Sequence, residues 1–246
     1  QDIKGLKVKN RLGLAAGLDK NGKLINEFSN IGFGFIEVGT ITPQPQSGNP
    51  KPRLHRIIQH DSLLNSLGFP NNGVQEIKQR IKNIDKDICL GINIGPNKNN
   101  VAESALADYI NCYREIYEYA HFITLNISSP NTPGLRDLHN IDTFQGIIKA
   151  IIRERNKNTY RPKILIKLSP DESIETYKKL ISVINTSEID GVIISNTTNN
   201  SELKRSLDLH GRPGGISGKL LRKSSNKILK TIKTHIDPEK IIVAVG

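Results

Sequence analysis

The sequence predicts a parallel α/β fold of the (β/α)8 TIM barrel type, truncated after its seventh strand. Three observations carry that expectation. Short β-branched runs alternate with longer amphipathic stretches along the whole chain. Most of the runs are apolar on both faces, as strands enclosed by helices must be. About seven such units fit within 246 residues, which favours a barrel over an open sheet.

The elements follow in order. The first strand, Leu12–Ala16, runs out into Gly17-Leu18-Asp19-Lys20, and a helical pattern covers Gly22–Asn30. The second strand, Phe35–Thr40, ends on Gly39-Thr40. An insertion over Thr42–Asn71 carries five prolines and a short hairpin, Arg53–Ile58 against Ser62–Ser66, expected to cover part of the barrel mouth. A helix over Asn72–Asn83, a strand over Ile88–Ile94 and a helix over Glu103–Ala120 come next. The fourth strand is Phe122–Ile127, and the long loop Pro130–Ile141 after it, holding Pro133-Gly134, reads as a lid. Helices over Thr143–Arg155, Ile174–Asn185 and Lys219–His235 then alternate with strands over Ile164–Leu168, Val192–Asn196 and Ile241–Val245. The first six strands end in glycine or polar residues, among them Asn93, Asn126, Lys167 and Ser195-Asn196-Thr197. In a barrel those ends share one mouth, so the pattern itself predicts a ligand site there. The eighth strand is missing and the chain has no Met, so the sequence reads as a piece of a longer one.

Composition removes several classes of function. Hydrophobic residues make up 36% and charged residues 24%, too apolar a mixture for disorder. The only cysteines are Cys89 and Cys112, without a CxxC pair, which excludes a disulfide framework, a four-cysteine zinc site and a cysteine-ligated iron–sulfur cluster. No two of the six histidines stand three or four apart, so no metal site is expected. No apolar run approaches the roughly 20 residues of a membrane helix. Lys plus Arg is 35 against 24 for Asp plus Glu, a net charge of +11. Aromatics are only 5% and no block of five basic residues occurs, so nucleic acid is not the expected partner. An anion-attracting or membrane-facing surface accounts for the charge better.

Several motifs bear on chemistry. Gly17-Leu18-Asp19-Lys20-Asn21-Gly22-Lys23 has phosphate-loop spacing, but Leu24 stands where a magnesium-binding Ser or Thr is needed. Gly32-Phe33-Gly34 lacks its third glycine, Glu37 taking that place. Asn126-Ile127-Ser128-Ser129-Pro130-Asn131 presents amides and hydroxyls beyond a strand, suited to a flat ring edged with C=O and N–H groups, or equally to a plain turn. Lys167 ends an apolar run, and a lysine there either meets an anion or reaches water; Lys20 invites the same two readings. Gly214-Gly215-Ile216-Ser217-Gly218 precedes a helix, where backbone N–H groups bind phosphate, or is a flexible loop.

These segments, in this order, resemble class 2 (quinone-dependent) dihydroorotate dehydrogenase. The matching stretches include Leu14-Ala15-Ala16-Gly17-Leu18-Asp19-Lys20-Asn21, Glu37-Val38-Gly39-Thr40-Ile41-Thr42-Pro43, Pro50-Lys51-Pro52-Arg53-Leu54 and Asn65-Ser66-Leu67-Gly68-Phe69. They continue with Gly91-Ile92-Asn93-Ile94-Gly95, Asn126 to Arg136, Lys167-Leu168-Ser169-Pro170-Asp171, Asn196-Thr197-Thr198 and Gly214 to Gly218, and span nearly the whole chain. The resemblance implies an FMN-containing barrel that oxidises dihydroorotate to orotate in pyrimidine (UMP) synthesis, with a quinone as electron acceptor. It places Ser129 at the catalytic base; class 1 enzymes carry cysteine there. It places Ala16, Gly17, Leu18, Asp19, Lys20, Thr40, Asn93, Asn126, Lys167, Ser195 and Gly218 around the flavin. Lys20, Asn65, Ser66, Leu67, Gly68, Phe69, Asn126, Asn131, Asn196 and Thr197 fall at substrate positions.

Ser195 replaces the usual threonine but keeps a hydroxyl, and Ile216 stands for leucine. On this reading residues 1–246 are a single FMN-binding barrel domain. It lacks the family's later phosphate-gripping segment and the amino-terminal helices that attach the protein peripherally to the cytoplasmic face of the bacterial inner membrane. The alternatives are another FMN barrel oxidoreductase, of the class 1 or dihydropyrimidine dehydrogenase type, or a non-enzymatic basic nucleic-acid-binding protein. Ser129 and the absence of cluster cysteines argue against the first, and the mouth asparagines against the second.

Overall fold

Side chains alternate along every strand of the main sheet, and that alternation sorts the chain into layers. The computed structural model describes residues 1–99, 105–128 and 140–245. Its elements are β1 (Asp2–Ile3), β2 (Leu6–Lys7), β3 (Gly13–Leu14), α1 (Ile25–Asn30), β4 (Phe35–Ile41), β5 (Leu54–Ile57), β6 (Ser62–Asn65), α2 (Val74–Ile81) and β7 (Leu90–Ile94). Then come α3 (Ala105–Ile116), β8 (Phe122–Asn126), α4 (Ile141–Arg155), β9 (Lys163–Leu168), α5 (Ile174–Asn185), β10 (Gly191–Ile194), α6 (Ser201–Ser206), β11 (Gly215–Gly218), α7 (Lys219–Lys233) and β12 (Ile241–Ala244). Strands β3, β4, β7, β8, β9, β10 and β12 form one parallel sheet in chain order, with β3 and β12 at its edges. This is the curled sheet of a (β/α)8 barrel carrying seven strands.

One set of alternating residues, including Ile36, Val38, Ile92, Ile94, Ile123, Leu125, Ile164 and Ile166, packs outward with the buried faces of the helices. The other set points to the barrel interior. At its amino-terminal end Phe122, Leu165, Ile193 and Ile241 pack with Leu6 and Val8. Leu6 comes from a two-strand hairpin, β1 and β2, that the sequence reading missed because each strand has two residues. Its turn residues Lys4 and Gly5 both have positive φ, the geometry that reverses a chain most tightly. Cys89 lies in the same plug, and burial pushes its thiol up to about 12, so it behaves as an apolar filler.

Helix starts follow their caps. Asn140 takes the Asp142 N–H at 3.0 Å, Ser173 takes that of Thr176 at 3.1 Å, and Asn200 takes that of Leu203 at 2.8 Å. Helix α5 has the boundaries the sequence predicts, whereas α6 was not foreseen.

Two expectations need correction. The first strand covers Gly13–Leu14, shorter than Leu12–Ala16, because the Ala16 N–H goes to the Glu37 carboxylate at 3.2 Å rather than to a ladder partner. The Gly214–Gly218 stretch is not a free loop. Gly215 to Gly218 pair antiparallel with β6, making a three-stranded sheet of β11, β6 and β5. Glycine is needed there because a Cβ on Gly214 would lie 2.3 Å from the Asn65 carbonyl oxygen. The β5–β6 hairpin lies within a residue of its predicted limits and, joined by β11, stands beside the mouth.

Candidate active site

Two residues beyond the apolar plug, the same inward positions become polar. Glu37, Asn93, Asn126 and Lys167 follow Phe35, Gly91, Thr124 and Leu165 on β4, β7, β8 and β9. Strand register sets them in a staggered row: Glu37 pairs with Gly91, Asn93 with Thr124, and Asn126 with Lys167, so each of the first two steps rises by two residues. The result is a continuous belt of hydrogen bonds. The Glu37 carboxylate accepts from Asn93 Nδ2 at 2.9 Å. Asn93 Oδ1 accepts from Thr40 Oγ1 at 2.6 Å and from Asn126 Nδ2 at 3.2 Å. Asn126 Nδ2 also reaches Thr40 Oγ1 at 3.0 Å. Asn196 Nδ2 donates to Asn126 Oδ1 at 3.2 Å and to Ser128 Oγ at 3.1 Å, and the Ser128 hydroxyl donates to the Lys167 carbonyl at 2.8 Å. The belt is dry at its base, since Asn93 and Ser128 are wholly buried.

Above the belt lies a cavity of about 540 Å³, within the range of small-molecule sites. Of the residues expected around a flavin, Ala16, Gly17, Leu18, Lys20, Thr40, Asn126, Lys167, Ser195 and Gly218 line it. Of those expected around a substrate, Asn65, Leu67, Gly68, Phe69, Asn196 and Thr197 also line it. Ser66 is buried beside the cavity, its N–H given to the Arg53 carbonyl at 2.9 Å. Asn93 lies beneath the wall as a support. Asp19 is turned elsewhere: its carboxylate takes the N–H groups of Lys23 and Leu24 at 2.9 and 2.8 Å, so it shapes the Gly17–Gly22 turn rather than facing the cavity. Ser129 and Asn131 lie outside the described residues, as does most of the expected lid.

The electrostatics are one-sided. Lys167 is buried and Lys20 half-buried, and among the described residues neither ammonium has an acidic or hydrogen-bonding partner. Burial first, then the charges of Lys167 and Arg53, lower the Lys20 pKa to about 8. Two cations crowded without counterions make a site that gains by taking an anion. The belt beside them is built of amides and hydroxyls, and Gly17 faces open space, so a flat molecule can approach its backbone. The arrangement suits a planar, anionic heterocycle.

The amide groups at the start of α7 are partly engaged. Lys219 N–H binds the Asp61 carbonyl at 3.2 Å and Leu220 N–H binds Ser62 Oγ at 3.1 Å. A phosphate near Gly218 therefore meets fewer free donors than the sequence suggests. A larger groove of about 920 Å³ lies along α7, but its lysines, Lys223, Lys227 and Lys230, are exposed and solvated. Among the described residues no cluster of His, Cys, Asp and Glu suits a metal ion, and no helix is long and apolar enough to cross a membrane.

Sequence reasoning missed Glu37, Ser128 and Arg53 as parts of the site. The signal for Glu37 was available, since it occupies an inward position two residues before Gly39 in an otherwise apolar strand.

Comparison with known proteins finds relatives over the whole chain. The family described as "Dihydroorotate dehydrogenase" matches residues 1–246. The dihydroorotate dehydrogenase (quinone) of Legionella pneumophila (strain Corby) is 39% identical over 246 residues, covering 98% of this chain and 74% of that protein. That of Serratia proteamaculans (strain 568) is 42% identical over 248 residues, covering 98% and 73%. Among solved structures, DHODH from Eimeria tenella in complex with ferulenol superposes with a TM-score of 0.91 at 33% identity, covering all of this chain and 72% of that one.

Proposed function

The chain belongs to the dihydroorotate dehydrogenase family, and from that premise we propose how its residues divide the work. It is an oxidoreductase of the quinone-dependent class, oxidising dihydroorotate to orotate in pyrimidine synthesis. The observation that carries the reading is the pairing of Lys20 and Lys167, two cations without counterions among the described residues, with the asparagine belt around one cavity.

The cavity fits FMN, whose ring edge of alternating carbonyl and N–H groups matches an amide belt and whose negative charge answers the free ammonium groups. Residues 1–246 act on this reading as one FMN-binding barrel unit. Ala16, Gly17, Leu18, Thr40, Ser195 and Gly218 line the flavin, Asn126 holds its edge, and Asn93 backs Asn126 from beneath the wall. When bound, FMN supplies the acceptor for the hydride lost from C6 of the substrate.

Everything else is done by side chains. Lys167 stabilises negative charge that develops near the ring. Lys20 neutralises the substrate carboxylate, while Asn65, Asn131, Asn196 and Thr197 orient the ring by its carbonyl and N–H groups. Ser129 takes the proton from C5. A serine is a poor base, so the step requires a water-poor site and an onward acceptor for the proton. The quinone, a lipid-soluble partner, accepts the electrons, and peripheral contact of the intact protein with the cytoplasmic face of the inner membrane brings the two together.

The test is the absorption spectrum of the intact protein before and after anaerobic dihydroorotate. A yellow chromophore that bleaches, and recovers with a quinone but not with fumarate or NAD, supports the reading. A colourless protein, or recovery with fumarate, overturns it.

A further inference from the structure

Glu37 has no part in the division of work above, yet it stands at the head of the hydrogen-bonded belt. Its carboxylate is 2% exposed, and its two oxygens take the Asn93 amide at 2.9 Å and the Ala16 N–H at 3.2 Å. A carboxylate can only accept. Asn93 must therefore turn Nδ2 toward it and Oδ1 away. Oδ1 then accepts from the Thr40 hydroxyl at 2.6 Å and from Asn126 Nδ2 at 3.2 Å. With its nitrogen committed to that side, Asn126 turns Oδ1 to Asn196 Nδ2 at 3.2 Å. The same nitrogen of Asn196 reaches Ser128 Oγ at 3.1 Å, and the Ser128 hydroxyl points its proton to the Lys167 carbonyl at 2.8 Å. A side-chain amide alone can face either way. Here the belt is fixed at both ends: the Thr197 N–H gives its proton to Asn196 Oδ1 at 2.9 Å at the far end, and the acceptor-only Glu37 turns Asn93, and through it the Asn126 nitrogen, at the near end.

We propose that Glu37 is a positioning residue that sets the donor and acceptor order of the near half of the belt, from β4 to β8, and so decides, through Asn93, which atoms of Asn126 meet Thr40 and the cavity, where a ring binds. The inference rests on the flavin and substrate reading above only for the identity of that ring. Glu37 touches neither reacting atom. It acts through Asn93 and, by its second oxygen, holds the Ala16 backbone at the cavity wall.

The geometry supplies its own rescue. In E37Q the introduced glutamine has one oxygen for two donors, and its amide nitrogen opposes a donor. In N93D alone two carboxylates face each other. In E37Q/N93D the glutamine oxygen takes the Ala16 N–H and its nitrogen donates to one oxygen of the introduced aspartate. The other oxygen accepts from Thr40 and Asn126, so the order beyond it is restored at the same net charge.

The experiment is a titration of the flavin-free intact protein with FMN, followed by quenching of flavin fluorescence, for the unmutated protein, both single variants and the double. Side-chain amide NMR signals of Asn126 and Asn196 are recorded without flavin. E37Q and N93D are each expected to weaken FMN about tenfold or more, as loss of a charge-assisted hydrogen bond does. E37Q/N93D should recover to within about threefold of the unmutated protein, with the Asn126 signals back in place. If a single variant fails to fold, recovery of a folded, FMN-binding double variant is the same rescue. FMN affinity unchanged in E37Q, or a double variant no better than the worse single one, overturns the proposal. Failure of the unmutated protein to bind FMN sinks the flavin reading instead. The NMR arm then decides for Glu37: signals of Asn126 that move in E37Q and return in the double support it, and Asn126 signals that stay still refute it.

Discussion

The two ends of the same strands make an instructive pair. At the amino-terminal end the inward residues Phe122, Leu165 and Ile193 close the barrel with Leu6 and Val8, a dry plug. Two residues along β8 and β9 from Thr124 and Leu165, the inward side chains are Asn126, tied into a polar belt, and Lys167, which faces the cavity above it. Backbone, register and parity are shared, so only side-chain chemistry separates core from site. The plug is stabilised by removing apolar surface from water, at roughly 1.5–3 kcal/mol for a side chain such as Leu165. The belt is held by directed bonds, and the two ammonium groups beside it have no counterion among the described residues, a cost that a bound anion offsets. Stability sits at one end and function at the other.

Changes at the mouth should cost chemistry and changes at the plug should cost stability. The largest effect is expected from Ser129→Ala in the intact enzyme. Reduction of bound flavin by dihydroorotate should slow by roughly 10²–10⁴-fold with FMN still bound, read by anaerobic stopped-flow absorbance. Near-normal reduction removes Ser129 from its role. Next is Leu165→Ala in the plug, which should lower unfolding free energy by about 2–5 kcal/mol in denaturant titrations, with KM for dihydroorotate unchanged. A raised KM without lost stability would show that the two ends are not separable.

The cationic pair at the mouth gives a smaller, pH-dependent effect. The Lys20 pKa is lowered to about 8, by burial first and then by Lys167 and Arg53, and a bound anion raises it again, so binding takes up a proton. Orotate affinity should be flat below pH 8 and then fall about tenfold per pH unit above it, measured by calorimetric titration. Lys20→Gln should bind weakly with no such limb. Folding stability runs the other way. A lowered lysine pKa penalises the ligand-free fold at pH below about 8, and the penalty is relieved as pH rises toward 10.5. Least affected is Lys78→Ala, which breaks a partly exposed pair with Glu115 at 2.9 Å. It should change stability by no more than about 1 kcal/mol, seen as a small shift in Tm. A larger loss would place part of the stability in the outer helices rather than in the plug.

Much of this was legible beforehand. The β-branched runs gave strands within a residue or two, because a strand buried on both faces has no alternative use for Ile-rich sequence. The polar strand ends gave the mouth, and family resemblance gave the cavity residues. Three things escaped. The β1–β2 hairpin is too short for any periodicity. The pairing of Gly215–Gly218 with β6 joins segments about 150 residues apart, and only close backbone approach explains its glycines. Asp19 was read with its neighbours as cavity lining, whereas a carboxylate four and five residues before free N–H groups is more strongly drawn to cap its own turn.

Sequence by itself determined the parallel α/β class, the order of the elements and the set of polar residues that converge, since period, β-branching and turn chemistry are local properties. Only the tertiary structure decided how those residues face one another: that Glu37 takes Asn93, that Asn93 in turn meets Asn126, and that Lys20 and Lys167 stand close enough to feel each other's charge. An amide's orientation and a buried lysine's charge depend on neighbours that only the register of distant strands supplies.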